Sequence, residues 1–244
     1  MWFDLLVFTA ALWGGTVAAV AGFGIGSLLT PVLALQADAR LAVAAVALPH
    51  AVGTAFRLWL LGGRVDRRVF WSFGLASAAG GLAGALLQDR TSPPALMMLF
   101  GALLILTAVA ELTGVGQRLR LKGSLAVVAG AASGVLGGLV GNQGGIRSAA
   151  LLGVHVPKHV FVATATAVAL MVDAARVPVY VWRQHHALAG VASWIGMATA
   201  GVVAGTLIGL QVLRWIPESS FRRTVGILLG LLGAAMLIAG VEGT

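Results

Sequence analysis

Hydrophobic residues along this chain come in runs that cover every face of a helix rather than one stripe. Six runs are clear, over 41–61, 69–87, 95–113, 160–182, 188–213 and 221–241. Each is close to the roughly 20 residues that an α-helix needs to cross a bilayer, and polar residues collect in the short gaps between them. Two more stretches, 5–36 and 124–154, are as apolar but are interrupted by glycines. The pattern predicts an all-α polytopic membrane protein of about eight helical segments, with almost no domain outside the bilayer.

Composition sharpens this. Of 244 residues, 59% are hydrophobic and 10% charged, whereas soluble domains run near 45–50% and about 25%. The opening Met1, Trp2, Phe3 and Asp4 form no basic leader and no small-residue cleavage site follows, so no removable signal peptide is expected. With no cysteine, disulfides, thiolate metal sites and Cys nucleophiles are excluded together. The net charge of +8 sits in clusters between apolar runs: Arg64, Arg67 and Arg68; Arg118, Arg120 and Lys122; Arg214, Arg222 and Arg223. These are topology signals facing anionic lipid rather than a nucleic-acid surface. Trp2, Trp59, Trp71, Trp182, Trp194 and Trp215 fall near run ends, as interfacial anchors do.

The chain also matches itself. At an offset of 119, Gly15 falls on Gly134, Gly22 on Gly141, Gly26 on Gly145, Arg57 on Arg176 and Arg64 on Arg183; Gly80 and Gly84 then meet Gly201 and Gly205 at 121, and Pro93 meets Pro217 at 124. Glycine matches alone are weak, because 34 residues are glycine. Two arginines in apolar surroundings keep the same register, which points to two homologous halves, 1–120 and 121–244.

Charge counting separates two layouts. If 5–36 and 124–154 both cross, seven basic residues (Arg64, Arg67, Arg68, Arg118, Arg120, Lys122, Arg183) lie inside and six (Arg40, Arg90, Lys158, Arg214, Arg222, Arg223) outside. If both dip in and return, ten lie inside and three (Arg40, Arg90, Arg183) outside, with Arg57, Arg147 and Arg176 within apolar segments. The positive-inside rule favours the second layout. Each half then has three full spans, an odd number, so the halves are expected to be inverted repeats, a recurrent transporter plan. Length argues the other way: residues 124–140 as a straight helix already reach about 25 Å. Eight full spans therefore stay as the rival layout.

The breaks carry the candidate chemistry. The first holds Gly22, Gly24, Gly26 and Ser27; the second holds Asn142, Gln143, Gly144, Gly145 and Arg147. Irregular backbone deep in a membrane survives only against protein or a watery cavity. A helix restarting after such a break offers free N–H groups and a positive dipole end, which suits an anion. Alternatively, these glycines only let helices pack closely, as Gly80/Gly84, Gly201/Gly205/Gly209 and Gly226/Gly230 are expected to do. Two amides, Asn142 and Gln143, favour the site, since unpartnered amides in apolar surroundings are costly.

On these residues the chain resembles the sulfite exporter TauE/SafE family. The first half contributes the glycine break with Pro31, then Val52, Gly53 and Thr54, then Gly62 to Asp66. The second contributes Gly141 to Gly145, the stretch Ala163 to Thr166, and Asp173, Arg176, Pro178 and Tyr180. The resemblance covers nearly the whole chain through small-residue motifs. Phe23 and Ile25 interrupt the family's denser glycine run, Ala150 replaces the second-half proline, and Pro49 and His50 occupy a stretch that is usually small or hydroxylic. The resemblance implies a multi-pass protein of the bacterial inner membrane that moves sulfite, sulfonates or related small oxyanions, and it marks Thr164 and Thr166 as candidate ligand contacts.

Ionisable residues inside a span are site candidates by default. Arg57 either snorkels to the interface or lines the path. Arg176 either pairs with Asp173 three residues earlier or does the same, and a planar cation suits an oxyanion. Thr54, Thr164 and Thr166 can instead bond their own helix. His50 either steadies the kink beside Pro49 or titrates in the path; any coupled proton must ride on His50, on Asp173 or on the anion. His185 and His186 lie in an expected loop without further metal ligands, so neither a metal nor a cofactor is expected.

A secondary transporter of a small anion is the leading expectation. The phosphate-loop pattern is absent, which leaves ion or substrate gradients as the energy source. A passive anion channel and a non-transporting assembly partner remain as alternatives. An intramembrane enzyme is not expected: a second in-span aspartate and the zinc-protease helix motif are both missing, and Ser133 has no assignable base.

Overall fold

The computed structural model describes residues 2–62, 64–115, 123–142, 144, 147, 158–212 and 218–242. Among these, the long elements are all helices. The first half forms α1 (Trp2–Ala21), α2 (Ile25–Leu33), α3 (Ala39–Leu60), α4 (Arg67–Leu87) and α5 (Pro93–Thr113); the second forms α6 (Ser124–Val140), α7 (Lys158–Gly190), α8 (Ala192–Val212) and α9 (Glu218–Glu242). Seven of them, all but α2 and α6, are long and apolar enough to cross a membrane. The expected count of full spans was six; the seventh is α1, part of the first broken stretch.

Local chemistry sets the ends. The Asp38 carboxylate accepts from the Arg40 and Leu41 amides at 2.8 and 3.0 Å and starts α3. Asp66 starts α4 by accepting from the Val69 amide at 3.0 Å. Ser92, with Pro93 at the first helical position, starts α5. The first break is made by Gly22 and Gly24, whose φ values of 78° and 137° suit a residue without Cβ. Gly141 ends α6 in the left-handed conformation, φ 74°.

Helix directions follow from which residues face each other. The 61–66 connection joins α3 to α4, and the 88–92 connection joins α4 to α5. Along α4 and α6, Ser77 backs on Gly134 and Gly81 on Gly138, so these helices run parallel. Along α1 and α8, Leu12 backs on Gly205 and Thr16 on Gly209, again parallel. By contrast α5 and α9 are antiparallel, with Gly101 beside Gly233 and Leu112 beside Gly226. So are α3 and α7, where His50 meets Asp173 and Arg57 meets Thr166. Arg40 donates to the Thr91 carbonyl, Arg183 pairs with Asp89, and the Phe3 ring packs on Trp194 with centroids 4.8 Å apart. Hence α1 and α3 both start from the 88–92 end, and α6 and α7 both start from the 61–66 end.

That α1 and α3 share a direction requires the chain to turn back between them. It does so at the first break: a Cβ on Gly14 would stand 3.1 Å from the Ile25 Cα, about 10 Å back down α1 from its end. Eight alternating spans do not fit this order.

Packing within each parallel pair is backbone against backbone. A Cβ on Gly134 would lie 2.0 Å from the Ser77 carbonyl oxygen, and one on Gly205 the same distance from that of Leu12. Ser77 donates across one seam to the Gly130 carbonyl at 2.9 Å, and Thr16 across the other to the Gly205 carbonyl at 3.0 Å. Gly80, Gly84, Gly201, Gly205 and Gly209 thus act as the close-packing residues expected of small-residue patterns. Gly226 faces the Leu112 side chain, while Gly230 meets nothing closer than 3.7 Å.

One expectation fails. His185 and His186 do not lie in a loop: helix α7 continues through them, with only Gln184 leaving helical geometry (φ −125°, ψ 20°). The Gln184 amide donates to Gln88 on the neighbouring helix connection at 3.3 Å, so a polar stretch that looked like a linker is instead a packed, kinked helix. The turn comes later, at Val191.

Candidate functional site

The two glycine breaks meet. A Cβ on Gly26 would stand 2.4 Å from the Gly141 carbonyl oxygen, and one on Gly144 only 2.0 Å from the Phe23 Cβ. Across this junction the Ser27 hydroxyl donates to the Asn142 side-chain carbonyl at 3.2 Å. Arg147 reaches over it to donate from Nη2 to the Gly22 carbonyl at 3.0 Å. Helix α2 therefore starts inside the protein, and no side chain caps its Gly24 end. The first N–H groups of a helix have no partner within it, and the first turn of this one lies against the second break at Gly141.

Beside the junction, the antiparallel crossing of α3 and α7 buries ionisable groups. Arg57, Arg147 and Arg176 are each 1% exposed, and Asp173 is fully buried. The Asp173 carboxylate accepts from Arg176 Nε at 3.0 Å and lies 2.6 Å from His50 Nδ1. Arg176 also donates from Nη1 to the Gly137 carbonyl, and the Tyr180 hydroxyl donates to that of Gly138. A cation and a hydroxyl thus hold the carbonyl end of α6, where the helix dipole is negative.

The charge balance in this interior is uneven. Asp173 directly neutralises Arg176, but among the described residues Arg57 Nε is bonded only to the neutral Thr166 hydroxyl at 3.1 Å, and Arg147 only to the Gly22 carbonyl. Among the described residues, five buried polar atoms have no hydrogen-bond partner: Arg57 Nη1, Arg147 Nε and Nη1, Asn142 Nδ2 and the Thr30 hydroxyl. Four of the five are N–H donors. Arg57 and Arg147 also repel each other electrostatically. Buried charges are ordinarily paired, because an unpaired one costs several kcal/mol. Two guanidiniums and an amide with free N–H groups make a chemical environment for an anion with several acceptor oxygens.

A model of the sulfite exporter TauE/SafE family matches residues 7–236. The chain belongs to that family. It is thus a multi-pass membrane protein of a transporter family, as its seven span-length helices require. Neither a curated protein nor a solved structure matches it.

In this TauE/SafE member the candidate residues divide into three groups. Gly22, Gly24, Gly26, Ser27, Asn142, Gly144 and Arg147 come together at the junction. His50, Arg57, Thr166, Asp173 and Arg176 line the α3–α7 crossing, with Thr54 3.5 Å from His50. Thr164 turns away: its hydroxyl donates to the Val160 carbonyl at 2.7 Å and accepts from the Asp66 amide at 2.9 Å, clamping the 61–66 connection. Gln143 and Gly145 lie outside the described residues.

The snorkelling alternative for Arg57 is overturned. The side chain is sealed inside because Thr166 and the crossing helix cover it, although its position near the end of α3 allowed escape to the interface. Thr30 and Gln88 carry no expectation from the sequence, and Tyr180 enters there only among the residues of the resemblance, without a site role. Tyr180 had a signal, as the chain's single tyrosine, placed four residues after Arg176 on one helix face. Gln88 donates to the Leu139 carbonyl at 3.0 Å, a partner without any mark in the sequence. Among the described residues no cluster of His, Asp or Glu is suited to holding a metal.

Proposed function

We propose that this chain is a secondary transporter that exports a small oxyanion, sulfite or an organosulfonate, and binds it where the two glycine breaks meet. One observation carries the proposal: among the described residues, Arg57 and Arg147 are buried with free N–H groups and no carboxylate in contact, beside a helix start without a side-chain cap. The binding set is Gly22, Gly24, Gly26, Ser27, Asn142, Gln143, Gly144, Gly145 and Arg147, with Arg57 and Arg176 supplying field and Thr166 orienting Arg57. Thr164 acts through the 61–66 connection rather than on the anion.

The halves 1–120 and 121–244 are inverted repeats in this proposal. Support comes from the pairing rule of the helices: equivalents α3 and α7 are antiparallel, as are α5 and α9, and α1 on α8 mirrors α6 on α4. The 61–66 end faces the cytoplasm, since Arg64, Arg67, Arg68 and Arg223 gather there. Movement of one half against the other around a fixed central site gives alternating access.

Counterflow tests the transport step. Proteoliposomes loaded with unlabelled sulfite are expected to take up labelled sulfite transiently, with saturation. Non-saturable flux without exchange would make the protein a channel, and no flux would make it a non-transporting partner. Labelling tests the topology, since the chain lacks native cysteine. Arg68→Cys and Arg223→Cys are expected to react from the cytoplasmic side, and Glu242→Cys from the opposite side. Reaction of Arg68→Cys and Arg223→Cys from opposite sides would return the eight-span layout.

A further inference from the structure

We propose that anion movement is coupled to a proton carried by His50, held in the anion's field by Asp173 and Arg176; this rests on the anion-binding role proposed above. The His50 side chain is 10% exposed and its partner Asp173 is fully buried, with Nδ1 and Oδ2 2.6 Å apart. Facing a carboxylate, Nδ1 carries the ring hydrogen and donates it. Nε2 is then the nitrogen that takes up a further proton. The proton enters on Nε2 from water on the side to which the site is open, and leaves from Nε2 to water on the other side. No other bond is made or broken.

The charges around His50 turn this into coupling. From α7 it faces Asp173 and Arg176, and from the segment after α6 it feels Arg147. On α3 itself Arg57 follows two turns later. Helices α2, α6 and α8 have no ionisable residue, and α5 has only Glu111, in its last turn. A proton on His50 alone adds positive charge beside guanidiniums that already repel one another. An anion resting on Arg147 removes that repulsion, so proton and anion each favour the binding of the other. Either one alone is held poorly. The pair therefore travels together down its combined gradient, so export runs when the anion's outward gradient exceeds the inward proton gradient, and proton leak through an empty site is suppressed.

The same cluster reaches the junction. Asp173 holds Arg176, which grips the Gly137 carbonyl, and Tyr180 grips that of Gly138. A change of charge on His50 is thus felt three bonds away at the end of α6, the helix that leads into the second break.

The test uses purified full-length protein in proteoliposomes, with labelled sulfite and an entrapped pH dye, against protein-free vesicles. In the wild type an inward proton gradient is expected to drive sulfite accumulation, with protons entering alongside. In His50→Gln, exchange of labelled for unlabelled sulfite is expected to persist, while gradient-driven accumulation falls about tenfold or more. Accumulation in His50→Gln equal to wild type would overturn the proposal, because the proton then rides on the anion as hydrogensulfite. Exchange without any proton drive in the wild type would overturn coupling but leave the transporter intact. Absence of sulfite exchange in the wild type would remove the transport reading and the coupling with it. Should His50→Gln fail to fold, His50→Asn serves in its place, and the wild-type gradient measurement stands on its own.

Discussion

Replacing Arg147 with glutamine is expected to weaken sulfite binding by about a hundredfold while leaving the anion-free protein at least as stable as the wild type. The two effects have one cause. Among the described residues Arg147 finds no partner for Nε and Nη1, and its bond from Nη2 goes to a neutral carbonyl. Each hydrogen bond to a charged group is worth about 1.5–3 kcal/mol, so losing two of them removes roughly 3 kcal/mol or more, about two orders of magnitude in affinity. Without an anion the same guanidinium is a desolvated charge beside Arg57 and Arg176, and its removal relieves that cost. A purely structural arginine behaves in the opposite way, losing stability when neutralised. Titration calorimetry with sulfite and thermal unfolding in detergent check the two halves of the statement. Arg147→Lys is expected to recover only part of the affinity, because an ammonium keeps the charge but not the planar fork. Unchanged sulfite affinity in Arg147→Gln would place the anion elsewhere.

The span boundaries were legible because lipid asks little more of a helix than apolar length and satisfied backbone. The run predicted over 69–87 became α4 at Arg67–Leu87, and that over 95–113 became α5 at Pro93–Thr113. The first break was equally legible, since glycine clusters mark where φ turns positive. What could not be read was which distant groups would meet. The partner of Arg57 is Thr166, 109 residues away, and the partner of His50 is Asp173, 123 residues away. Both pairings depend on the register of α3 against α7, which packing of small residues decides. Without that register, Arg57 near a helix end looked free to snorkel. The i,i+3 pair of Asp173 and Arg176 was visible because it needs only one helix. At 183–187 the error had the same origin, since Gln184 finds Gln88 on another element and the polar stretch stays helical.

The repeat proposed for the two halves carries one asymmetry that matters for charge. At the offset of 119, Thr54 stands where the second half has Asp173. The interior therefore holds one acid against three arginines, and a second acid at position 54 would halve that surplus of two positive charges. In the proposed site, that surplus of positive charge is what favours an anion. It also makes that single acid the residue on which the anion-free fold depends most.

Asp173→Asn is accordingly expected to be the most destabilising single substitution at the site, by about 3–5 kcal/mol, the usual cost of removing one partner from a buried ion pair. Its carboxylate serves His50 and Arg176 together, and its loss leaves three guanidiniums without a fixed counter-charge. Sulfite is expected to restore part of the loss. A ligand that binds only the folded state stabilises it by about 2.7 kcal/mol at a hundred times its dissociation constant, and the anion no longer competes with a fixed negative charge. The rise in thermal midpoint on adding saturating sulfite is thus expected to be larger in Asp173→Asn than in the wild type, with chloride as the control salt. A smaller rise would mean that Asp173 and the bound anion do not share one electrostatic field, and the junction of the two breaks would lose its claim to be the anion site. Equal rises would say that the two act independently. In either case the coupling assigned to His50 would lose its physical basis, because that imidazole responds to the anion only through the charges that Asp173 balances.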